Sequence, residues 1–420
     1  MCKKTALRIL ALLCLLLHPA GPAGAEDITW PGNGMLRDDP FDAAPFQSLF
    51  PDAKSGNRVT VNPGGASFYT VYGGYDTASG SVTSNTVILN GGNVALVHGG
   101  RATNGEASFN GVFVRGGTVR SSVFGGYSPS GAAMYNSVSI SGGVIGANSF
   151  GIVNGGRSPA GAVSYNSVRV TGGDIGAGDY GRLIGGFSGS GAASYNSVFI
   201  SGGRIGTTGN DSRVAGGRTD TGSATHNTVT LAGNPVLDQA AVYGGYGDGS
   251  DLFTGNTLNI LGYSGTVRGV QNFQNYNFVL PNTLGNGGTL ITIDSPNPAA
   301  ILPANRMDET TIAVAMQGGG NMLKPGDGIV LLSKTDGSGV DGVIKGSKGF
   351  SLLYDLDLVY DPANNNALTL RVRNTRANPQ TKAVAESLIA PLALVNQGGD
   401  LVAGEGMRAA MNADLLPGAA

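Results

Sequence analysis

Short runs in which polar and apolar residues alternate recur through the middle of the chain, and most of them end at a pair of glycines. In the run Asn136-Ser137-Val138-Ser139-Ile140, a period of two predicts a β-strand with Val138 and Ile140 on the buried face and the two serines outside. Asn136 has the same parity as the valine, so we expect its side chain to point inward too. A buried amide needs hydrogen-bond partners.

The same phrase, Asn-x-Val-x-aliphatic-x-Gly-Gly, returns at intervals of 25 to 31 residues. Self-similarity at such a period is typical of a solenoid or a propeller. A propeller blade needs about 40 residues, and no helical pattern lies between the strand-like runs, so one repeat fits one coil of a β-helix. The clear and degenerate copies begin at Asn57, Asn85, Asn110, Asn136, Asn166, Asn196, Asn227 and Asn256.

The fold class that we expect is all-β: a right-handed parallel β-helix with a C-terminal β cap and a short C-terminal helical linker. Neighbouring coils of a β-helix lie about 4.8 Å apart, so the asparagines can bond to one another as an inward ladder. We assign this ladder a structural role. Replacing Asn166 by Leu would leave neighbouring amides unpaired, at a cost of about 1–3 kcal/mol.

A second phrase, aliphatic-x-Gly-Gly, lies between the asparagine phrases. We expect the paired glycines to form tight corners that need a positive φ. Directly after this second glycine pair, aromatic residues and arginine alternate from coil to coil, so that each guanidinium would lie between two rings. We interpret the row as a structural ladder; the alternative is a glycan- or anion-binding surface stripe. Its members are Tyr75, Arg101, Tyr127, Arg157, Phe187, Arg218 and Tyr246.

A further row of rings directly precedes the asparagines, and its parity predicts outward side chains. Such a row is more often structural, although a row of tyrosines can also bind sugars. Another corner varies in length, with insertions at 146–151, 176–181 and 206–212 on one side of neighbouring coils, where repeat proteins often carry function. The rings are Phe109, Tyr135, Tyr165, Tyr195 and His226.

The first 25 residues have the pattern of a Sec-type signal peptide. Three basic residues precede an apolar run, and Ala23-Gly24-Ala25 fits a small-x-small cleavage site. Removal of this segment would leave 23 basic and 28 acidic residues and would take away both cysteines, so we expect no disulfide in the exported chain. Residues 26–56 would form an N-terminal cap ahead of the repeats at 57–270.

Beyond residue 270 the asparagine phrase stops, but strand-like runs continue. Because a solenoid needs a cap at an open end, we assign residues 271–376 to a C-terminal β cap. The pattern at 377–420 then favours helix, interrupted by Pro391 and by glycines. The strand-like runs are Phe278–Leu280, Thr289–Ile293, Thr311–Ala315, Gly328–Leu332, Phe350–Tyr354 and Ala367–Val372.

Candidate catalytic groups are few. His98 and His226 each occupy a repeat position that tyrosine fills elsewhere, so we interpret both as stacking variants. Only nine acids fall within residues 63–270 and none recurs in register, so the clustered carboxylates of a polysaccharide lyase or hydrolase are not evident. No motif supplies a metal or cofactor site. A formal net charge of -2 gives no electrostatic basis for nucleic-acid binding.

The chain as a whole resembles the passenger of a Gram-negative autotransporter, a type V secretion protein. The most specific residues are 378–383 and 394–404, which are similar to the linker that precedes the outer-membrane β-barrel and threads its pore. Residues 271–376 resemble the autochaperone-like segment that helps such a passenger fold. The resemblance implies an outer-membrane β-barrel translocator as partner and a location at the cell surface, in the outer membrane or outside the cell.

The barrel that follows in this family is not in the sequence, so we expect a truncated gene, a fragment or a passenger served by a barrel in trans. Without a barrel the location would be periplasmic. The expected function is non-enzymatic, namely adhesion or another surface interaction with host or surface glycans or proteins. Two alternatives stay open: a carbohydrate-active β-helix enzyme, to be tested at Asp174, Asp179 and Asp211, and a nonfunctional truncated autotransporter.

Overall fold

The computed structural model of the chain describes residues 24–41, 47–64, 67–147, 150–207, 211–294, 310–316, 323–335, 349–350, 355–361 and 367–374. These residues form 34 β-strands. Throughout the described ranges there is no helix of the length and apolarity that crossing a membrane requires.

The strands follow one another along the whole described chain. The N-terminal strands are β1 (Asp27–Trp30), β2 (Leu36–Asp38) and β3 (Gln47–Leu49). The strands of the repeats are β4 (Arg58–Val61), β5 (Phe68–Tyr72), β6 (Tyr75–Asp76), β7 (Val82–Thr83), β8 (Thr86–Leu89), β9 (Asn93–Ala102), β10 (Ala107–Ser108), β11 (Gly111–Val114), β12 (Thr118–Tyr127), β13 (Ala133–Met134), β14 (Ser137–Ile140), β15 (Val144–Ile145), β16 (Gly151–Ser158), β17 (Val163–Ser164), β18 (Ser167–Ile175), β19 (Gly181–Ser188), β20 (Ala193–Ser194), β21 (Ser197–Ile205), β22 (Ser212–Thr219), β23 (Thr228–Ala232), β24 (Ala240–Gly247), β25 (Thr257–Leu261), β26 (Gly265–Val267) and β27 (Gly269–Gln271). The C-terminal strands are β28 (Asn275–Leu280), β29 (Thr289–Ile293), β30 (Thr311–Met316), β31 (Gly328–Lys334), β32 (Gly349–Phe350), β33 (Asp355–Asp361) and β34 (Ala367–Asn374).

Equivalent strands of successive coils pair in parallel and in register, which gives three faces along one axis. Face A contains the strands that follow the asparagines, namely β4, β8, β11, β14, β18, β21, β23 and β25, and it is extended by β1 at one end and by β28 and β30 at the other. Face B consists of β3, β5, β9, β12, β16, β19, β22, β24 and β27. Face C is short and consists of β7, β10, β13, β17 and β20. The prediction of a parallel β-helix is therefore confirmed.

The interior is filled by columns of aliphatic residues, one from each coil. On face A, Val138 pairs in register with Val112 on one side and Val168 on the other, and all three are at most 1% exposed. Face B supplies the opposing column through residues such as Val153 and Leu183, both fully buried. Side chains of alternate parity, such as those of the serines in β14, point out of face A, as the period of two predicts.

The two sets of paired glycines have different roles, and the expectation that both form corners is wrong for the second set. After each asparagine phrase a glycine does adopt a positive φ, which is 84° at Gly143 and 88° at Gly173. The second pairs instead lie within the long strands of face B. A Cβ on Gly155 would collide with the carbonyl oxygen of Gly185, and one on Gly156 would lie 2.6 Å from the side chain of Asn166. These glycines make room rather than turns.

Both ends of the stack depart from the regular coil. At the N-terminal end β2 and β3 pair antiparallel. At the other end the stack continues past residue 270, because β28 and β30 extend face A. The antiparallel strands β31, β34, β33 and β32 then form part of a separate sheet that fits the expected C-terminal β cap.

Five of the six predicted C-terminal runs match strands. Of the sixth run, Phe350–Tyr354, only Phe350 is described, in the strand Gly349–Phe350, and residues 351–354 lie outside the described ranges. The predicted signal peptide, apart from residues 24 and 25, and the predicted helical linker at 377–420 lie outside the described residues.

Candidate functional site

The asparagines of the repeated phrase form one hydrogen-bonded column inside the corner where face C meets face A. The Nδ2 of Asn136 donates to the Oδ1 of Asn166 over 3.0 Å, and Asn166 bonds to Asn196 in the same way. The backbone N of Asn136 donates to the same Oδ1 at 2.9 Å, and its Nδ2 also donates to the carbonyl of Ala107 at 2.8 Å. The column runs through Asn57, Asn85, Asn110, Asn136, Asn166, Asn196, Asn227 and Asn256, all at most 1% exposed.

An amide whose donors and acceptor are all used inside the protein has nothing left for a ligand. The asparagine column is therefore part of the scaffold, and a functional surface has to be sought outside it.

The alternating row of rings and arginines runs along the outside of face B. Its members pair in register from coil to coil, from Tyr75 to Tyr246. The guanidinium carbon of Arg157 lies 5.6 Å from the ring centroid of Tyr127 and 5.3 Å from that of Phe187. Arg218 lies 4.6 Å from Phe187 and 5.7 Å from Tyr246. Both arginines are thus placed between two rings.

The N-terminal end of this row is closed by the cap. Arg101 lies 5.3 Å from the ring of Tyr127 on one side and 3.7 Å from the ring of Phe41 on the other. Phe41 also contacts Tyr75, with ring centroids 6.1 Å apart. Phe41 therefore supplies the ring on the N-terminal side of Arg101, where the alternation alone would predict the ring of Tyr75.

Sequence reasoning missed a second row that lies beside the first. Three residues before each member of the alternating row, the strands of face B place a residue that points outward and is nevertheless buried, or half-buried in the case of Tyr243. No side chain separates the two rows, because the two positions between them are glycine. The ring centroids of Phe124 and Tyr127 are 5.8 Å apart, and those of Tyr243 and Tyr246 are 4.8 Å apart. The second row consists of Tyr72, His98, Phe124, Asn154, Ile184, Ala215 and Tyr243.

Together the two rows form a thin second layer on the outside of face B. Ile184 and Ala215 are nearly fully buried and form an apolar cluster with Phe187, against which Tyr243 and Tyr246 pack. The alternating row is therefore half-buried and covers its neighbour, so it is less exposed than a surface stripe on a bare sheet would be. The signal for this in the sequence was that five of the seven outward positions of this second row hold apolar or aromatic residues, namely Tyr72, Phe124, Ile184, Ala215 and Tyr243.

His98 is a stacking residue in this layer, as its repeat position predicts. Its ring lies 5.2 Å from that of Tyr72 and 5.0 Å from that of Phe124. Burial, with a smaller contribution from the charges of Arg101 and Arg157, lowers the pKa of His98 well below its usual value. The imidazole is therefore neutral at physiological pH.

The polar groups of the fourth coil in this layer are incompletely paired within the described part of the chain. The Oδ1 of Asn154 and the Nε of Arg157 are buried without a hydrogen-bond partner. Burial and then the like charge of Arg218 lower the pKa of Arg157, although the neighbouring Tyr127 and Asp220 act in the opposite direction. A guanidinium stays protonated even so.

The ring row that precedes the asparagines is a separate, exposed stack. The centroids of Tyr135 and Tyr165 are 5.1 Å apart with an interplanar angle of 5°, and Tyr195 and His226 continue the stack. Phe109 begins the stack and is 58% exposed. Because each inner ring is covered on both faces by its neighbours, the stack turns ring edges toward solvent, whereas a sugar that stacks on an aromatic residue needs an open ring face.

These rings also lie in the left-handed backbone region, where φ is 57° to 60°. Such values are uncommon outside glycine and cost roughly 1–3 kcal/mol. Gly56 and Gly255 hold the same repeat position near the two ends of the column, with φ of 81° and 70°. Ring stacking of about 0.5–1.5 kcal/mol a pair offsets part of the strain.

No family model, curated protein or solved structure matches this chain.

The described residues at the ends of the variable loops directly precede the strands β16, β19 and β22 of face B, and Asp174 belongs to β18 on face A. The rings of Phe150 and Tyr180, from the first two loops, stack with centroids 5.6 Å apart. Asp211 from the third loop forms ion pairs with both Arg182 and Arg213. Asp174 lies 3.8 Å from Arg204. Within the residues that the structure describes, no three His, Cys, Asp or Glu side chains are grouped so as to hold a metal ion.

The two rows on the outside of face B offer hydrogen-bond donors and positive charges that are held between rings on a rigid sheet. They are suited to binding an extended partner along the axis of the coils.

Proposed function

We propose that this chain is an exported, non-enzymatic β-helix whose outer face B is an adhesive or interaction surface. The observation that carries the proposal is the second layer of rings and arginines on that face. A solenoid needs its aliphatic columns and the asparagine column to hold its coils together. The outer layer adds half-buried cations such as Arg157, which a purely structural layer of apolar side chains would avoid.

The location belongs to the proposal as well. The first 25 residues have the pattern of a Sec signal. The resemblance of the chain to autotransporter passengers supports display at the cell surface or release from the cell, with an outer-membrane β-barrel translocator as the partner in export.

Two measurements test the proposal. Intact cells that make the chain are treated with protease, and we expect the chain to be digested while periplasmic markers survive. The same cells, and a strain that lacks the gene, are then applied to surfaces coated with glycans, matrix proteins or host cells. Greater attachment by the producing strain, reduced by adding purified full-length exported chain, is the expected result. Equal attachment on all surfaces would contradict the adhesive role.

The non-enzymatic part of the proposal has its own test. Purified chain is incubated with a panel of polysaccharides and the release of reducing or unsaturated ends is measured. We expect none. Turnover that is lost in Asp174→Asn, Asp179→Asn or Asp211→Asn would identify a carbohydrate-active enzyme instead.

A further inference from the structure

Positive charge is concentrated on one part of the surface. The five strands β9, β12, β16, β19 and β22 of face B contain six arginines and no lysine, aspartate or glutamate. The whole chain has more acidic than basic residues, 28 against 26. Face B is thus a local exception to the charge of the protein, and this favours an anionic partner. The six are Arg101, Arg120, Arg157, Arg182, Arg213 and Arg218.

Half of these cations have a carboxylate partner. Arg182 and Arg213 share Asp211, and Arg218 lies 3.0 Å from Asp220. These carboxylates come from the turns beside the strands, so they compensate the face only at its C-terminal part.

The other three arginines form no ion pair with any described carboxylate. Arg101 donates to the hydroxyl of Tyr72 at 3.3 Å, and Arg120 donates to the carbonyl of Phe68 at 3.4 Å. Arg157 forms no hydrogen bond among the described residues; its guanidinium lies over the rings of Phe124, Tyr127 and Phe187, and Asp220 acts on its charge without forming an ion pair. A partly desolvated charge without an ion-pair partner is unfavourable, and an external anion would reduce that cost.

The spacing of the arginines restricts the shape of the anion. In the alternating row Arg101, Arg157 and Arg218 stand on every second coil, which corresponds to about 9.6 Å at the usual strand spacing. Tyr127 and Phe187 occupy the coils between them. An extended polysaccharide advances by about one coil height for each sugar. A chain with an acid group on alternate sugars therefore matches the row in both distance and order.

A nucleic-acid strand fits the row less well. It carries a phosphate on every unit, with a rise of about 3.4 Å along the axis of a duplex. Phosphates would therefore also lie against the coils in which the row has a ring and no charge.

We propose that the alternating row of face B binds a linear acidic polysaccharide, one with an anionic group on every second sugar, lying parallel to the rod axis. Arg101 and Arg157, which form no ion pair with a described carboxylate, bind successive acid groups through charge-assisted hydrogen bonds, and Arg218 binds the next one by exchanging the carboxylate of Asp220 for it. The rings on both sides of each guanidinium restrict its position before the ligand arrives, so less side-chain entropy is lost on binding. This inference rests on the proposed function, because it names the ligand class of the same surface.

The test measures binding of the full-length exported chain to hyaluronan, whose carboxylates lie on alternate sugars, by isothermal titration calorimetry at low and high salt. We expect binding that weakens as salt rises. Arg157→Gln should weaken it by about tenfold, the loss of one hydrogen-bonded charge. Arg169→Gln is the matched control, since Arg169 also lies over a ring, 4.3 Å from Phe199, but on face A. It should bind as the unaltered chain does.

Arg218→Gln is a second variant and should reduce affinity in the same direction, so the result does not depend on one substitution. Melting temperatures establish that both variants are folded. Equal affinity of Arg157→Gln and Arg169→Gln, or equal affinity for hyaluronan and neutral dextran, would overturn the proposal. Tighter binding to poly-dT, or to polygalacturonate with its acid on every sugar, would overturn the assigned ligand class.

The two proposals fail separately. Cells that attach to other coated surfaces while the chain ignores hyaluronan would leave the adhesive function standing and reject this ligand. Arginine-dependent binding of hyaluronan by a chain that causes no cell attachment would support this ligand and reject the adhesive function.

Discussion

Two columns run along the repeats, and they answer the same geometrical requirement with opposite chemistry. In a parallel coil each residue lies beside its own equivalent, so a column of identical residues must tolerate itself. Asparagine does, because its amide is both donor and acceptor, and Asn136 and Asn166 bond over 3.0 Å. Arginine is donor only and carries charge, so it tolerates its own kind only beside a shared carboxylate, as Arg182 and Arg213 do at Asp211. The outer column therefore alternates Arg157 with the rings of Tyr127 and Phe187.

The two columns also differ in how completely they satisfy their polar groups. Each inner amide in the middle of the column uses all of its donors and its acceptor within the protein. In the outer column the Nε atoms of Arg101, Arg157 and Arg218 are buried without a partner. Identical residues thus form the column that pairs its own polar groups, and alternating residues form the column that leaves buried donors unpaired. Substitutions that exchange these properties test the difference.

The largest effect is expected from removing one inner amide. In Asn166→Leu the backbone N and the Nδ2 of Asn136 both lose their acceptor. Each orphaned buried group costs about 1–3 kcal/mol, so we expect the free energy of unfolding to fall by about 4 kcal/mol. Chemical denaturation monitored by circular dichroism measures it. Ser167→Ala on the outside of the same strand is the control and should change little; an equal effect of both would contradict the special role of the column.

The space that the glycines of face B leave for the inner column can be tested by filling it. In Gly155→Ala the new methyl group meets the carbonyl oxygen of Gly185 and lies 3.0 Å from the Cβ of Asn166. Overpacking of this kind costs about 3 kcal/mol at the upper end of its usual range. Gly269→Ala is the matched control, because its Cβ would meet only the Cβ of Ala241 at 3.6 Å. If thermal melting shows equal losses for the two variants, glycine is needed on face B for a reason other than space.

The inner column could be predicted from the sequence, and the outer layer could be predicted only in part. The parity of Asn136 with Val138, repeated at a fixed interval, indicated a buried amide that needs its own kind as a neighbour. The same repeats placed Arg157 beside rings. Both inferences depend only on the period of two and on the stacking of equivalent positions.

The rest depended on contacts that a periodic pattern does not contain. Glycine serves both for positive φ and for close approach, so Gly143 and Gly155 look alike in sequence and differ in the structure. Residues such as Ile184 have outward parity, which predicts exposure, and are buried because the neighbouring row covers them. The left-handed backbone at Tyr165 had one signal, namely the glycines at the same repeat position in the end coils.

Breaking the alternation of the outer column should have a smaller effect than either inner change. Phe187→Arg places three arginines on successive coils and removes the ring that contacts Arg157 and Arg218. Lost cation–π contacts and charge repulsion together should cost about 2 kcal/mol at low salt. Added salt should recover part of it. The control Phe187→Tyr keeps a ring and should be nearly neutral. A loss that does not respond to salt would mean that packing, and not charge, dictates the alternation.

The smallest expected effect is a change of the stability of the outer layer with pH. His98 is buried in the outer layer between Tyr72 and Phe124, and its pKa is lowered well below the usual value, first by burial and then by Arg101 and Arg157. The unfolded chain therefore takes up a proton below about pH 6.5 that the folded chain does not, so stability falls as pH falls, by up to about 1.4 kcal/mol per pH unit.

His98→Phe keeps a ring in the stack and removes this proton. We expect the stability difference between it and the unaltered chain to stay constant above pH 7 and to shift in favour of the variant by about 1 kcal/mol near pH 5.5. Urea midpoints at the two pH values measure the shift. His226→Phe, which replaces the exposed histidine of the ring stack, should leave the His98 effect in place. A difference that does not change with pH would mean that His98 is protonated in the folded rod, and the outer layer would then be open to water where the structure closes it.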